Sequence, residues 1–570
     1  MLHTQNNNSC QTAAILNPVL ECNSPQTFIF GNGQTEQWFS FTINNNVNTL
    51  AQNQLNNYQT GINLYSNMNA KVNVFKNNIN QQNIQFGSGI IAQEMPISIT
   101  FNLTTIKQNT ITAPATGIHA SGLTNALIED NTVSKLKQFP LFNTYGVLLR
   151  ACNSARVRDN SVNSQNPSTN TRQHGYAFEM SEATFATCNE ADKTGTGMRC
   201  AGMMPNSFLL GNTFKNNYHG FTMSNNAIIG EQYRMVQGTK YPSDNRWQGN
   251  FNSRSMASLS VNPDKNLSPF NVRDINSGNA FNPNFGVLQQ YIIIVSKLVK
   301  NPPLLCAVVQ NPGIKKGISQ QIAKKQVPMN DTASIIGRMQ VFEALQQNYT
   351  WQPDTILAQF ADSMQLTSYR SLQVIDSVMF DTAQCSAVLL STCQNITPQN
   401  HVEQHIQAAT EIYINSRVNN NSVYSPQQIS DLENIAWLCP FEDGKGVYLA
   451  RFLLQEVNDA EYQNSCEEAN GNNLRIFDSE EENEITFEAI SSKDSISVYP
   501  NPANESIHIE SSGKQPLHID IFDMVGRKIL SHYSVNQRTS INVANMPTGL
   551  YIIKIRSGNM EENSKIDIQH

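Results

Sequence analysis

Charge is scarce in this sequence: only 15% of the 570 residues are Asp, Glu, Lys or Arg, the net charge is −7 and the mean hydropathy is −0.38. Its polarity comes from uncharged amides, in runs such as Asn6-Asn7-Asn8, Asn44-Asn45-Asn46 and Asn419-Asn420-Asn421. The absence of any basic stripe argues against nucleic acid as a partner. No apolar run reaches the ~18 residues of a spanning helix, so no transmembrane segment is expected; the longest, Tyr291-Ile292-Ile293-Ile294-Val295, reads as a strand or core segment. No Cys-x-x-Cys spacing and no complete phosphate-binding pattern occurs, so neither metal nor cofactor is expected. Also missing from Met1-Leu2-His3-Thr4-Gln5 are the basic and apolar regions of a signal peptide.

What is present begins with ten cysteines. Cys10 and Cys22, Cys188 and Cys200, Cys385 and Cys393, and Cys439 and Cys466 are near neighbours in sequence, which predicts disulfides formed in an oxidising compartment, with connectivity left open. At about 150 residues per domain, the length suggests three or four domains.

A repeat organises the first half. Gly followed by an apolar residue recurs at Gly61, Gly89, Gly117, Gly146, Gly175 and Gly220, with spacings of 28, 28, 29, 29 and 45 residues. An apolar-x-x-Asn-x-apolar motif keeps the same register, centred on Asn77, Asn109, Asn131, Asn160 and Asn212. The long last interval predicts an insertion closed by Cys188 and Cys200, with Asp192–Gly197 as a flexible loop. Short strands in coils stacked about 4.8 Å apart fit this pattern. The Asn residues would form a corner ladder satisfying orphan backbone groups. Lys107, Glu129 and Arg158, each two residues before a ladder Asn, would alternate in sign along the stack. The repeat resembles the right-handed parallel β-helix family over about residues 30–285, which implies a β-helix for residues 1–285; the missing signal-peptide regions suggest that it is truncated at its N-terminus or read from a misplaced start.

Because β-helices often carry polysaccharide lyases and glycoside hydrolases, catalytic pairs deserve scrutiny. Glycoside hydrolysis needs two carboxylates about 5–9.5 Å apart. Asp130 and Asp159 occupy matching offsets in adjacent coils, and Glu179 flanks the presumed insertion together with Glu182. Corner Asp residues usually accept backbone hydrogen bonds, which makes all of these weak catalytic candidates. Tyr145, His174 and His219 each precede a repeat Gly and should stack as an aromatic–imidazole row, suited to the C–H face of a sugar ring. No third ligand accompanies the two imidazoles, so a metal is not expected there.

Beyond about Ser319 the apolar spacing becomes helical, with segments near 331–345, 355–380, 399–414, 426–438 and 446–456, Asp331 and Ser425 as N-caps and Pro426 in a first turn. Antiparallel helical hairpins over 286–470 follow, with Cys439 and Cys466 clamping the last helix. The segment from Ile435-Ala436-Trp437-Leu438-Cys439-Pro440-Phe441 to Ala450-Arg451 is similar to one in surface proteins of Bacteroidota, which implies a spacer or interaction platform. The acidic stretch 471–494 reads as a linker.

Three blocks mark the end of the chain: Ser497–Ala503 with Pro500, Asn501 and Pro502; Ile519–Lys528 with Gly526; and Pro547–Ile555 with Gly549 and Tyr551. Alternating apolar residues predict a small antiparallel β-sandwich over 495–570. In order and spacing the blocks resemble the type A sorting domain of the type IX secretion system. That resemblance implies recognition by the secretion translocon and sorting machinery, and a secreted or outer-membrane surface location. Three functions remain open: a binding or adhesive β-helix suited to glycans, a β-helix carbohydrate-active enzyme, and a structural surface-layer protein.

Overall fold

The computed structural model describes residues 2–6, 26–28, 37–41, 48–56, 60–65, 72–84, 86–94, 103–139, 142–168, 170–236, 238–249, 266–273, 294–298, 313–347, 354–378, 386–418 and 424–455. It also describes positions 457, 462, 464 and 466, and most of 496–569, with a few short gaps. Cys10, Cys22, Cys306, Cys385, Pro500, Asn501, Pro502, Gly526 and the stretch 471–494 lie outside the described residues. The chain divides into two compact units, residues 1–476 and 477–570.

The first unit begins with a parallel β-helix built from three sheets of nine, eight and eight described strands. One coil runs through Thr116–Ser121, Leu127–Glu129 and Thr132–Leu136, each strand pairing in parallel with its counterparts in the coils before and after. Ile118, Ile128 and Val133 point inward from the three strands of this coil and are fully or almost fully buried. The repeat glycine has a steric cause. A Cβ on Gly117 would lie 2.4 Å from the carbonyl oxygen of Gly146 and 2.8 Å from Val133 Cγ1, and Gly89 and Gly146 are hemmed in the same way. Only glycine permits that approach.

The corner ladder is longer than the motif indicates, running through Asn53, Asn77, Asn109, Asn131, Asn160, Asn189, Asn212 and Asn245. From Asn53 to Asn212, each Nδ2 donates to the next Oδ1 at 2.7–3.1 Å. From Asn77 onward, each Nδ2 also donates to a backbone carbonyl of the preceding coil at 2.7–3.0 Å. The residue before every rung, Asp130 and Asp159 among them, has a positive φ between 53° and 67° and turns the corner.

The expected insertion is a regular coil. Thr196–Met203 is a strand of the nine-stranded sheet, and Gly197 divides the 45-residue interval into 22 and 23 residues. Asp192 ends one strand and Thr196 opens the next, so the presumed flexible loop is the short corner between them. Its motif escapes notice because Ala186 and Ala191 stand where other coils carry larger residues. No Cys188–Cys200 bond exists. Cys200 points into the β-helix core as a free, fully buried thiol, whereas Cys188 sits at a corner and is disulfide-bonded elsewhere.

Nine described helices follow: α1 (Lys316–Ala323), α2 (Asp331–Gln347), α3 (Thr355–Gln365), α4 (Ser368–Val378), α5 (Ser386–Gln394), α6 (His401–Val418), α7 (Pro426–Ala436), α8 (Pro440–Asp443) and α9 (Lys445–Leu454). The segment expected near 355–380 is split into α3 and α4. The N-cap of α2 is Asn330, whose Oδ1 accepts from Ala333 N at 2.7 Å, rather than Asp331. Ser425 and Gln428 form a reciprocal capping box on α7. Cys439 and Cys466 are bonded (S–S 2.10 Å) around α8 and α9, while Cys393 is a free buried thiol and so not bonded to Cys385. The helices are no detached spacer. Met180, Ala201 and Met203 of the β-helix share one apolar core with Phe342, Phe441 and Leu449.

The second unit contains a three-stranded and a four-stranded antiparallel sheet. Ile507, Ile509, Ile519, Ile521, Ile553 and Ile555 pack into one core shared by both sheets, which makes a small sandwich. Gly549 opens the strand Gly549–Ser557. The hydroxyl of Tyr551 donates to Pro547 O at 2.7 Å, tying that strand to the turn before it.

Candidate functional site

Strand register along the outer face of the nine-stranded sheet brings three rows of side chains together, the second of them running through Leu148, Ala177 and Arg199. In the first row Tyr145 pairs with His174, His174 with Thr196, and Thr196 with His219. The extra coil thus interposes a threonine in the expected aromatic–imidazole row. Tyr145 and His174 do stack, with centroids 5.4 Å apart and planes inclined by 22°. All three rings are buried, at 5–6% exposure, so a sugar could not reach them as they stand.

In the third row Arg150 pairs with Glu179. The Glu179 carboxylate is fully buried and accepts from Arg150 Nε at 2.9 Å and from Arg199 at 3.1 Å. The hydroxyl of Tyr448 in α9 donates to it at 3.3 Å and Asn464 Nδ2 at 3.5 Å. Burial alone would raise its pKa, but the two guanidiniums outweigh it and hold the carboxyl down at about 2. Such a group is permanently ionised and makes a poor general acid.

Asp130 and Asp159 are also engaged. Lys107 bridges Glu129 at 3.3 Å and Asp130 at 3.4 Å, while Arg158 bridges Glu129 at 2.9 Å and Asp159 at 3.3 Å. The alternating ladder of charge therefore exists, and it draws in both corner carboxylates. Partial burial raises the Asp159 carboxyl, with a smaller push from Asp130 and an opposing pull from Arg158. Glu182 is fully buried, accepting from Asn206 Nδ2 at 2.6 Å, and burial pushes it up to about 8. The Asn206 carbonyl in turn accepts from Lys315 N at 2.7 Å, which fastens the helices to the coil stack.

Sequence reasoning passed over the Arg150–Glu179–Arg199 cluster. Arg150 and Glu179 each stand four residues after a repeat glycine, so the register logic applied to Lys107, Glu129 and Arg158 would have paired them. Tyr448 lies 269 residues from Glu179 and left no such signal. Among the described residues, no three His, Cys, Asp or Glu side chains are placed to hold a metal, and no helix is long and apolar enough to cross a membrane.

The buried imidazoles predict acid sensitivity. Burial lowers His219 to about 4 from an ordinary 6.5, so its neutral form favours the fold. That contribution is complete above pH 6.5 and is lost as pH falls toward 4; a shift of this size is worth about 3 kcal/mol. Glu182, being raised, acts in the opposite sense, its contribution fading as pH rises from about 4.5 to 8. Urea unfolding of His219→Gln beside the parent protein cancels that second term. The variant should lose less stability than the parent between pH 7 and pH 4.5; equal losses would refute the assignment.

Two family models match the chain. Residues 97–235 match the right handed beta helix region, and residues 497–569 match the secretion system C-terminal sorting domain. No curated protein matches it. The chain therefore joins a right-handed β-helix to a type IX secretion sorting domain, and it is a secreted or cell-surface protein.

Proposed function

We propose that the protein is delivered by its C-terminal domain, through the type IX translocon and sorting machinery, to act outside the cell as a binding or adhesive module. In this reading the β-helix supplies the rigid surface, the helices buttress its outer face, and the last 76 residues are an address. The observation that supports binding over hydrolysis is the pairing of carboxylates. Glu179 lies between Arg150 and Arg199, Asp130 is bridged by Lys107, and Asp159 by Arg158. Hydrolysis would need one of them protonated and facing substrate.

The full chain should be retained on immobilised bacterial or host cell-surface material without releasing reducing or unsaturated sugar ends from a polysaccharide panel. Release that Asp159→Asn abolishes would establish the enzyme instead. Failure to be retained on any surface would favour a purely structural surface-layer role.

A further inference from the structure

Among the described connections that lead into the nine-stranded sheet, those at 113–115, 193–195 and 216–218 are only three residues long. Three are longer: 81–87, 137–143 and 165–172. The first two flank the short 113–115 corner and meet across it. Lys137 Nζ donates to Gln81 O at 2.7 Å and also to Ile84 O, which fixes the earlier loop. Asn170 Nδ2 donates to Phe139 O at 2.7 Å, and Ser168 Oγ to Gln138 Oε1 at 2.7 Å, so the third loop holds the second.

Clamped in this way, the loops present an aromatic corner. The rings of Phe86 and Phe139 lie 4.6 Å apart with planes inclined by 32°, and Phe142 stands against Phe86 at 5.5 Å and 81°. Phe86 is 37% and Phe142 42% exposed, which is uncommon for phenylalanine on a folded chain. The surroundings are not those of a generic apolar contact. The three loops contain no Asp or Glu, although the chain as a whole carries a net charge of −7. Their remaining side chains are mostly amides and hydroxyls, with Gln82, Gln138 and Gln165 exposed.

The geometry points to a glycan-binding platform at Phe86, Phe139 and Phe142, a site that rests on the binding role proposed above and names its ligand class. A pyranose ring has one face of C–H bonds and a rim of hydroxyls. Its C–H face meets the electron-rich face of an aromatic ring, and the rim needs neutral donors and acceptors such as carboxamides. The lack of carboxylates in the loops, with Lys137 and Arg172 as their only charges, lets the platform accept neutral or anionic sugars.

Affinity electrophoresis of the full chain in gels containing laminarin, hydroxyethylcellulose, dextran, alginate or chondroitin sulfate tests this. At least one polysaccharide should retard the parent protein. The double variant Phe86→Ala/Phe142→Ala should weaken that affinity tenfold or more with an unchanged unfolding midpoint, and Phe142→Trp should retain it. Equal retardation of parent and double variant would overturn the platform and leave the binding role intact. No retardation by any polysaccharide would also overturn the platform, and the binding role would fall with it only if cell-surface material likewise failed to retain the protein.

Discussion

Replacing Glu179 by Ala should cost the first unit about 3–5 kcal/mol, the usual penalty for leaving a buried ion pair half removed. Two guanidiniums would lose their counter-charge, since Arg150 lies 2.9 Å and Arg199 3.1 Å from this one carboxylate. Tyr448 and Asn464 would lose an acceptor in the same step, so the cost falls on the junction between coils and helices. Glu179→Gln keeps the shape and the acceptor but removes the charge, and should fall between parent and alanine variant. The measurement is convenient because residues 495–570 contain no tryptophan. Tryptophan fluorescence, excited selectively over tyrosine and with Trp247 in the β-helix core, therefore follows the first unit alone during urea unfolding. A loss below about 1 kcal/mol for the alanine variant would show that the arginines find other partners.

The second large effect is expected at the middle of the amide ladder. Asn131 donates to Asn160 Oδ1 at 2.9 Å and to Ile106 O at 2.8 Å, and its own Oδ1 accepts from Asn109 N at 3.0 Å and Asn109 Nδ2 at 2.9 Å. Asn131→Ala would orphan the Asn109 backbone N–H and take one acceptor from the Asn109 Nδ2 and one donor from the Ile106 carbonyl in a dry corner. Each such group costs about 1–3 kcal/mol, and the total, short of additive, should be about 3–5 kcal/mol. Asn131→Asp should be equally damaging at neutral pH, where a carboxylate would face the Asn160 carbonyl oxygen, and milder at pH 4, where a protonated acid can donate. An alanine variant as stable as the parent would mean that the rungs are ornamental.

The sequence made the coil register legible because packing leaves its markers little freedom. Gly117 and Gly146 cannot carry a Cβ, and Asn109, Asn131 and Asn160 are fixed by three hydrogen-bonding needs at once. The extra coil was hidden where those constraints slackened. Alanines replaced the larger apolar residues around Asn189, and two cysteines 12 residues apart suggested a bond that the inward direction of Cys200 forbids. Helix positions were readable from apolar spacing, but their docking was not. Tyr448 meets Glu179, and Lys315 meets Asn206, across separations that no local pattern encodes. The register of Tyr145, His174 and His219 is readable from the repeat, while the Thr196 that interrupts it and the burial of all three rings are not. The phenylalanine corner went unnoticed for a different reason: its three rings come from two loops with no repeat, and only the coil stacking brings them together.

The amide ladder also has a polarity. From Asn53 to Asn212 every Nδ2 donates toward the rung of higher number, so seven carboxamide dipoles point the same way along the solenoid, much as peptide dipoles do in an α-helix. Positive potential accumulates at the Asn245 end and negative potential at the Asn53 end. Asp244, fully buried beside that last rung and held by Arg273 at 2.7 Å, sits where the aligned amides favour an anion. The two ends of the stack are thus electrically unlike, and a coil added at one end would enter a different field from a coil added at the other.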